Sequence, residues 1–188
     1  MARKIGSRYT AHQVIGRGSA GTVWLGEGPE GPVAIKLLRE DLASDQVLVG
    51  RFVQERTALT SLDHPRVVGV HDLVVDGDDL ALVMELVHGA DLRSRLDREG
   101  PLTPQAAVSI AADVAEGLAS LFVLEGDGIQ AALMLGAAVV VRGTEVVGDT
   151  EIARTVSAAR DLIGDAFDAA YNRGLSLSRP EALSLAGI

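Results

Sequence analysis

Cysteine is absent from the 188-residue chain, and with it the disulfides and thiolate metal sites that cysteine would provide. That absence fits a reducing compartment. Aromatic residues make up only 3%, so any core must be assembled mainly from Val, Leu, Ile and Ala. Basic residues are outnumbered, 17 against 26 acidic ones, leaving a net charge of −9 and a pI near 4.8. Binding a phosphate backbone needs a basic face, so a nucleic-acid partner is not expected. No apolar run follows Met1-Ala2-Arg3-Lys4, so no secretory leader is expected. The apolar stretch from Ile129 to Val141 is too short to cross a bilayer and is predicted to be a buried helix. The expectation is a soluble cytoplasmic protein without a membrane partner. Lysine is scarce too: Lys4 and Lys36 stand in a basic set that is otherwise all arginine.

What is present is enough to build a core. Hydrophobic residues reach 47% and the mean hydropathy is +0.24, which argues against disorder. A mass of 19.6 kDa allows one ordinary domain or two small ones. Short strands separated by glycines are predicted over Tyr9 to Ile15, Thr22 to Gly26 and Val33 to Leu38, with Gly28-Pro29-Glu30-Gly31-Pro32 as a turn. From Asp45 to Leu62 the period becomes helical, with Phe52, Leu59 and Leu62 on one stripe, and His64-Pro65 ends it. Two more strands, Val67 to Val75 and Leu80 to Val87, flank the hairpin signal Asp76-Gly77-Asp78-Asp79.

Beyond His88-Gly89 the chain reads as helices. One fits Asp91 to Arg98. A longer one starts at Thr103, with Pro104 at the first helical position, and is apolar on nearly all sides, so it should be buried. Gly126-Asp127-Gly128 breaks it, with Asp127 read as a turn residue. Helices are then predicted over about 129–141, 150–171 and 179–186, with Gly174 suited to a C′ position and Ser178-Arg179-Pro180-Glu181 in capping-box form.

Three features carry chemistry. Gly16-Arg17-Gly18-Ser19-Ala20-Gly21 is a Gly-x-Gly-x-x-Gly string, which nucleotide-binding βα folds also use. There it opens a helix. Here Thr22-Val23-Trp24-Leu25 follows, which reads as a strand, so the string sits in a hairpin that could cover a triphosphate with backbone N–H groups. An ordinary glycine-rich hairpin is the plainer alternative. Next, Val33-Ala34-Ile35-Lys36 puts one of two lysines on an apolar strand, where its ammonium could meet phosphate; a surface lysine is the plainer alternative. Finally, Glu55 lies within the apolar stripe of the 45–62 helix, where an unpaired carboxylate is costly and Lys36 is the obvious partner. A solvated stripe edge would also accommodate it.

Taken in order, these motifs resemble a bacterial Ser/Thr protein kinase of the eukaryotic-like type, from about Tyr9 to Ala119. Gly16, Gly18, Gly21 and Val23 match the glycine-rich loop, and Val33-Ala34-Ile35-Lys36 matches the third strand. Glu55, in Arg51-Phe52-Val53-Gln54-Glu55-Arg56, falls where the family places the lysine's partner. Leu62-Asp63-His64-Pro65-Arg66-Val67-Val68 resembles the lead into the fourth strand. Leu82-Val83-Met84-Glu85-Leu86-Val87-His88-Gly89 resembles the gatekeeper, Met84, and the hinge. The resemblance implies an α+β fold: an N-lobe of five antiparallel strands plus one helix, followed by an all-helical part. It implies that Val23 and Ala34 roof an adenine held by the Glu85 and Val87 backbones. Lys36, held by Glu55, would bind the α and β phosphates of ATP. The implied division is 8–90 for the lobe, 91–122 for helices continuing the kinase pattern, and 123–188 for a helical tail of different origin.

After Ala119 the kinase pattern stops. The family continues to a His-Arg-Asp loop with a nearby Asn, whereas this chain reads Ser120-Leu121-Phe122-Val123-Leu124-Glu125-Gly126 and has no histidine after His88. No Asp-Phe-Gly and no Ala-Pro-Glu occur. The roles of orienting a substrate hydroxyl and holding Mg²⁺ therefore have no occupant, so no catalytic and no metal-binding residue is assigned. Residues 131–187, with Leu135-Gly136-Ala137-Ala138, Ile152-Ala153-Arg154 and Asp165 to Ser178, resemble the C-terminal helical segment of large ATPase-type transcriptional regulators with tetratricopeptide-like repeats. The expectation is a truncated kinase-like module, a pseudokinase or remnant, that binds ATP weakly and takes Mg²⁺ only through the nucleotide. A protein partner would complete or regulate the lobe. The alternatives are a helical regulatory or interaction protein with a vestigial nucleotide site, and an active kinase that borrows catalytic residues from another chain.

Overall fold

The computed structural model describes residues 2–45, 47, 49–50, 60–77 and 79–188. It divides into two compact units: residues 1–63 with 68–89, and residues 64–67 with 90–188.

The first unit is an antiparallel sheet with an adjoining helix. Its strands are β1 (Arg3–Ile5), β2 (Tyr9–Gly18), β3 (Gly21–Gly28), β4 (Gly31–Leu38), β5 (Val70–Asp76) and β6 (Asp79–Met84), in spatial order β1-β2-β3-β4-β6-β5. Neighbouring strands are joined by hairpins except across the β4–β6 pair, where the chain returns through the intervening segment. Six strands stand where five were expected. The extra one is β1, three residues long, which pairs Arg3 to Ile5 with Ala11 to Tyr9. It escapes a periodicity search because only Ile5 is apolar, yet Ile5 is fully buried. Period-2 alternation in β4 sends Val33, Ile35 and Leu37 into a core shared with Ile5, Tyr9, Ala11, Ala81 and Val83.

Other boundaries differ from the sequence expectation. β5 starts at Val70 and β6 ends at Met84, so Glu85 to Val87 lie beyond the strand. Pairing stops there because β5 runs out: the Glu85 N–H donates to the Gly69 carbonyl at 2.8 Å, just outside the ladder. A short helix, α1 (Glu40–Ala43), follows β4. Of the helix expected over 45–62, Val47, Val49, Gly50, Thr60 and Ser61 are helical, and Phe52, Glu55 and Leu59 lie outside the described residues.

The second unit is helical: α2 (Leu92–Glu99), α3 (Pro104–Leu124), α4 (Gly128–Arg142), α5 (Thr150–Ile163), α6 (Ala166–Leu175) and α7 (Arg179–Leu185). Side chains hold most of the starts. Asp91, Thr103, Asp127 and Asp149 accept backbone N–H groups at their N-caps, and Ser178 with Glu181 forms a complete capping box. Asp127 is thus a helix cap at the break after α3. The single helix expected over 150–171 is two helices, because the chain turns at Gly164, whose φ is +54°.

Gly174 is not a C′ residue. It lies inside α6 and crosses Gly136 of α4. A Cβ on Gly174 would meet the Leu133 carbonyl oxygen at 2.2 Å, and one on Gly136 would meet the Tyr171 oxygen at 2.3 Å. The two backbones touch where neither residue has a side chain. Around this crossing α3, α4, α5 and α6 bury Ala115, Ala119, Ala132, Leu135, Ala159, Phe167 and Ala170. Val156, Ala159, Ile163, Phe167 and Ala170 pack there, whereas Ala166 faces solvent. Among the described residues α3 is long and apolar enough to cross a membrane by length and composition. Here Ala111, Ala112, Ala115 and Ala119 face the neighbouring helices.

One polar cluster sits in this unit. Glu116 on α3, 3% exposed, forms ion pairs with Arg142 of α4 and with Arg66, whose Nε is 3.0 Å away. Arg66 and Arg142 both reach Asp113 at 3.0 Å, and Arg66 also binds the α5 cap Asp149 at 2.9 Å. Hydrogen bonds from Arg66 and from the Ile152 N–H hold the Asp149 carboxyl below its ordinary pKa. His64, beside this cluster, is buried and accepts the Arg66 N–H on Nδ1 at 3.2 Å. Burial, with the Arg66 charge second, lowers its pKa.

Candidate nucleotide site

The glycine string folds as a hairpin tip. Gly16 pairs with Val23, Arg17 with Thr22 and Gly18 with Gly21, so Ser19 and Ala20 form a two-residue turn. The Arg39 N–H donates to the Ala20 carbonyl at 3.2 Å, tying the tip to the end of β4.

The glycines are not equivalent. A Cβ on Gly21 would lie 2.0 Å from the Leu37 carbonyl oxygen, so the close approach of β3 to β4 requires glycine there. A Cβ on Gly18 would meet nothing within 4 Å, and one on Gly16 would make ordinary contacts with Val23 at 3.7 Å and beyond. Neither has a positive φ. Packing and backbone conformation therefore explain Gly21, and the register shift between Val14 and Gly16 places Gly16 at a strand irregularity, but neither explains Gly18. Glycine within a strand costs about 0.5–1 kcal/mol relative to alanine, so Gly18 carries a cost for which the sheet itself has no use. Close approach of a ligand to the backbone supplies a reason.

Register places the other residues. On β4, Ala34 and Lys36 share the face opposite the core. Lys36 is directly across from Val23 on β3 and Leu82 on β6, and Ala34 is across from Leu25 and Met84. Cross-strand partners project to the same side, so Val23, Ala34, Lys36 and Met84 line one contiguous face. Ala34 is buried, and Val23, Lys36 and Met84 are half-buried. The Leu38 position beside Gly21 and the Ala34–Met84 pair are four residues apart along β4, a span of about 13 Å from the strand rise. Along that track the face runs from apolar side chains at the Ala34–Met84 end to the Lys36 cation and the glycine backbone at the other. Glu85 and Val87 continue past Met84 as exposed, non-strand residues, with Val87 61% exposed. The expected pairing of Lys36 with Glu55 lies outside the described residues.

Sequence reasoning missed the Arg66–Arg142–Asp113–Glu116–Asp149 cluster. A buried carboxylate at Glu116 was legible from its place in an apolar helix, but its two arginine partners come from distant segments.

Comparison with known proteins matches this architecture. The family model for the protein kinase domain covers residues 9–125, more than half of the chain. The chain therefore belongs to the protein kinase family. Serine/threonine-protein kinase PkaB of Streptomyces coelicolor is 80% identical over 120 residues, 64% of this chain and 29% of PkaB. PkaA of the same organism is 45% identical over 131 residues, 63% of this chain and 24% of PkaA. The chain thus spans less than a third of the length of these curated relatives. Among solved structures, the Mycobacterium tuberculosis PknI kinase domain superposes with a TM-score of 0.57 at 28% identity, covering 64% of this chain and 52% of that domain.

Proposed function

We propose that this chain is a kinase-derived adenine-nucleotide module without phosphotransfer activity of its own, in effect a cytoplasmic pseudokinase. The observation that carries the proposal is the track of Gly16, Gly18, Lys36, Val23, Ala34 and Met84 on one sheet face, with one glycine, Gly18, that the sheet does not need. In this reading Val23 and Ala34 cover the adenine, Glu85 and Val87 offer their backbones to its edge, and Met84 bounds it. Lys36, paired with Glu55, meets the α and β phosphates beneath Gly16, Gly18 and Gly21. Mg²⁺ enters with the nucleotide, whose own oxygens hold it. Silence in phosphotransfer follows from the sequence between Ser120 and Ile188, which has no His-Arg-Asp, no Asp-Phe-Gly and no histidine.

The segment division is part of the proposal: a nucleotide lobe over 8–90, kinase-derived helices over 91–122, and a helical tail of different origin over 123–188, similar to the helical scaffold of large ATPase-type regulators. The burial of α3 against α4 to α6 favours a second reading, in which the helical part is the working surface for a protein partner and the nucleotide site is vestigial.

Mg-ATP binding separates the two. With a dissociation constant of about 1 mM, about 5 mM nucleotide stabilises the fold by about 1 kcal/mol, a melting shift of roughly 2–4 °C for a chain of this size. Lys36→Met should reduce the shift and Lys4→Met should not. No shift with wild type selects the vestigial reading. Radiolabel transfer from ATP that disappears in Lys36→Met would refute silence.

A further inference from the structure

We propose that Arg39 is a positioning residue for the nucleotide, acting through its backbone N–H, which latches the glycine hairpin to the end of β4. The inference rests on the nucleotide reading above and adds the group that fixes where the hairpin tip sits. The donor lies one residue beyond the strand. Gly21↔Leu38 is the terminal pair of the β3–β4 ladder, and one step further the Arg39 N–H meets the Ala20 carbonyl at 3.2 Å. The bond therefore reaches into the Ser19–Ala20 turn itself.

The tip depends on this bond because it is held from one side. β1 pairs with β2 only from Tyr9 to Ala11, so among the described residues β2 from Gln13 to Gly18 has β3 as its single strand neighbour. That remaining ladder carries two register shifts, between Ala11 and Gln13 and between Val14 and Gly16. Gly18 and Ser19 are exposed, and a Cβ on Gly18 would touch nothing within 4 Å. No side-chain packing holds Gly18 in place. Such an arm is free to lift from the sheet, and its amides meet phosphate only when it lies down. A single hydrogen bond of this kind shifts a local equilibrium by about two- to tenfold. Apparent affinity follows the populated fraction of the competent state.

The rest of Arg39 serves other partners. Its carbonyl accepts the Leu42 and Ala43 N–H groups at 3.0 and 2.9 Å, which starts α1, and its guanidinium forks onto Asp41 at 3.0 and 3.1 Å. The latch can thus be removed without the helix start. The backbone of Arg39 has φ −67° and ψ 151°, which proline adopts without strain, and the preceding Leu38 is extended, as a residue before proline prefers to be. Arg39→Pro deletes the donor, puts a ring carbon against the Ala20 carbonyl and leaves the Arg39 carbonyl in place. Arg39→Ala deletes the guanidinium and keeps the donor.

Two measurements on the full chain test the latch. Amide hydrogen exchange, followed by NMR without nucleotide, should be faster over residues 18–21 in Arg39→Pro than in Arg39→Ala or wild type. The dependence of melting temperature on Mg-ATP concentration gives the apparent dissociation constant. It should rise about fivefold in Arg39→Pro and stay within about twofold of wild type in Arg39→Ala. Unchanged exchange in Arg39→Pro would overturn the proposal. So would faster exchange with an unchanged dissociation constant, because the bond would then be structural alone. Equal weakening in the two variants would assign the effect to the guanidinium and overturn it as well. A wild-type protein without any nucleotide shift would refute the nucleotide reading and the positioning role with it, while the exchange comparison would still decide whether Arg39 ties down the tip.

Discussion

Replacing Gly18 and Gly21 separately by alanine distinguishes a glycine the sheet requires from one the ligand requires. At Gly21 the new Cβ would sit 2.0 Å from the Leu37 oxygen and 3.1 Å from the Leu38 Cα. Both are backbone atoms of β4, so no side chain can swing aside; β3 and β4 must part near the hairpin tip. Overpacking of this kind costs typically 1–3 kcal/mol, and the φ of +154° adds strain for any residue with a Cβ. A loss of about 3 kcal/mol lowers the melting temperature by about 6–12 °C. At Gly18 the Cβ meets nothing within 4 Å and φ is not positive. Alanine there should stabilise the free protein by about 0.5–1 kcal/mol, chiefly by reducing the freedom of the unfolded chain. The nucleotide-induced shift should nevertheless shrink in Gly18→Ala, because the methyl group occupies the approach to the backbone amides. Differential scanning fluorimetry with and without Mg-ATP reads both effects. A Gly18→Ala protein that keeps the full nucleotide shift would refute the role given to that glycine.

Three further outcomes are expected. Glu116→Ala should cost about 3–5 kcal/mol, measured by urea unfolding, because it leaves Arg66 and Arg142 in a largely buried site without their shared carboxylate. Gly174→Leu should unfold or loosen the helical unit, since its Cβ alone would meet the Leu133 carbonyl oxygen at 2.2 Å; a surface control, Ser184→Leu, should be tolerated, with far-UV circular dichroism as the readout. His64 titrates lower in the folded state than in the unfolded chain. The unfolded state therefore takes up its proton first. Stability should be full above the unfolded value near 6.5, fall as the pH drops below it, and level off once the folded pKa is passed. His64→Gln should remove that step and keep the steeper loss at lower pH, where carboxylates such as Asp149 become protonated.

Much of the sheet unit was legible in the sequence because its determinants are local. Alternation in Val33 to Leu38 fixes which residues face the core, and Gly28-Pro29-Glu30-Gly31 fixes the β3–β4 turn, so Ala34 and Lys36 share a face before any contact is known. The helix starts at Thr103, Asp91 and Ser178 were legible for the same reason: a cap is a side chain bonding to backbone two or three residues away. The order of the motifs was enough to name the family.

What the sequence could not carry is everything that depends on a distant partner. Gly16, Gly18 and Gly21 look alike in the string, and only the passage of β4 beside Gly21 separates them. Ile5 becomes a core residue because β2 returns beside it. Gly174 looks like a helix terminator until Gly136 of another helix is found against it, where two missing side chains let the backbones meet. Arg66, Asp113, Glu116, Arg142 and Asp149 form one cluster from five scattered positions. Local propensity acts over a few residues, whereas close approach and charge pairing act over ångströms, and only the folded chain converts one distance into the other.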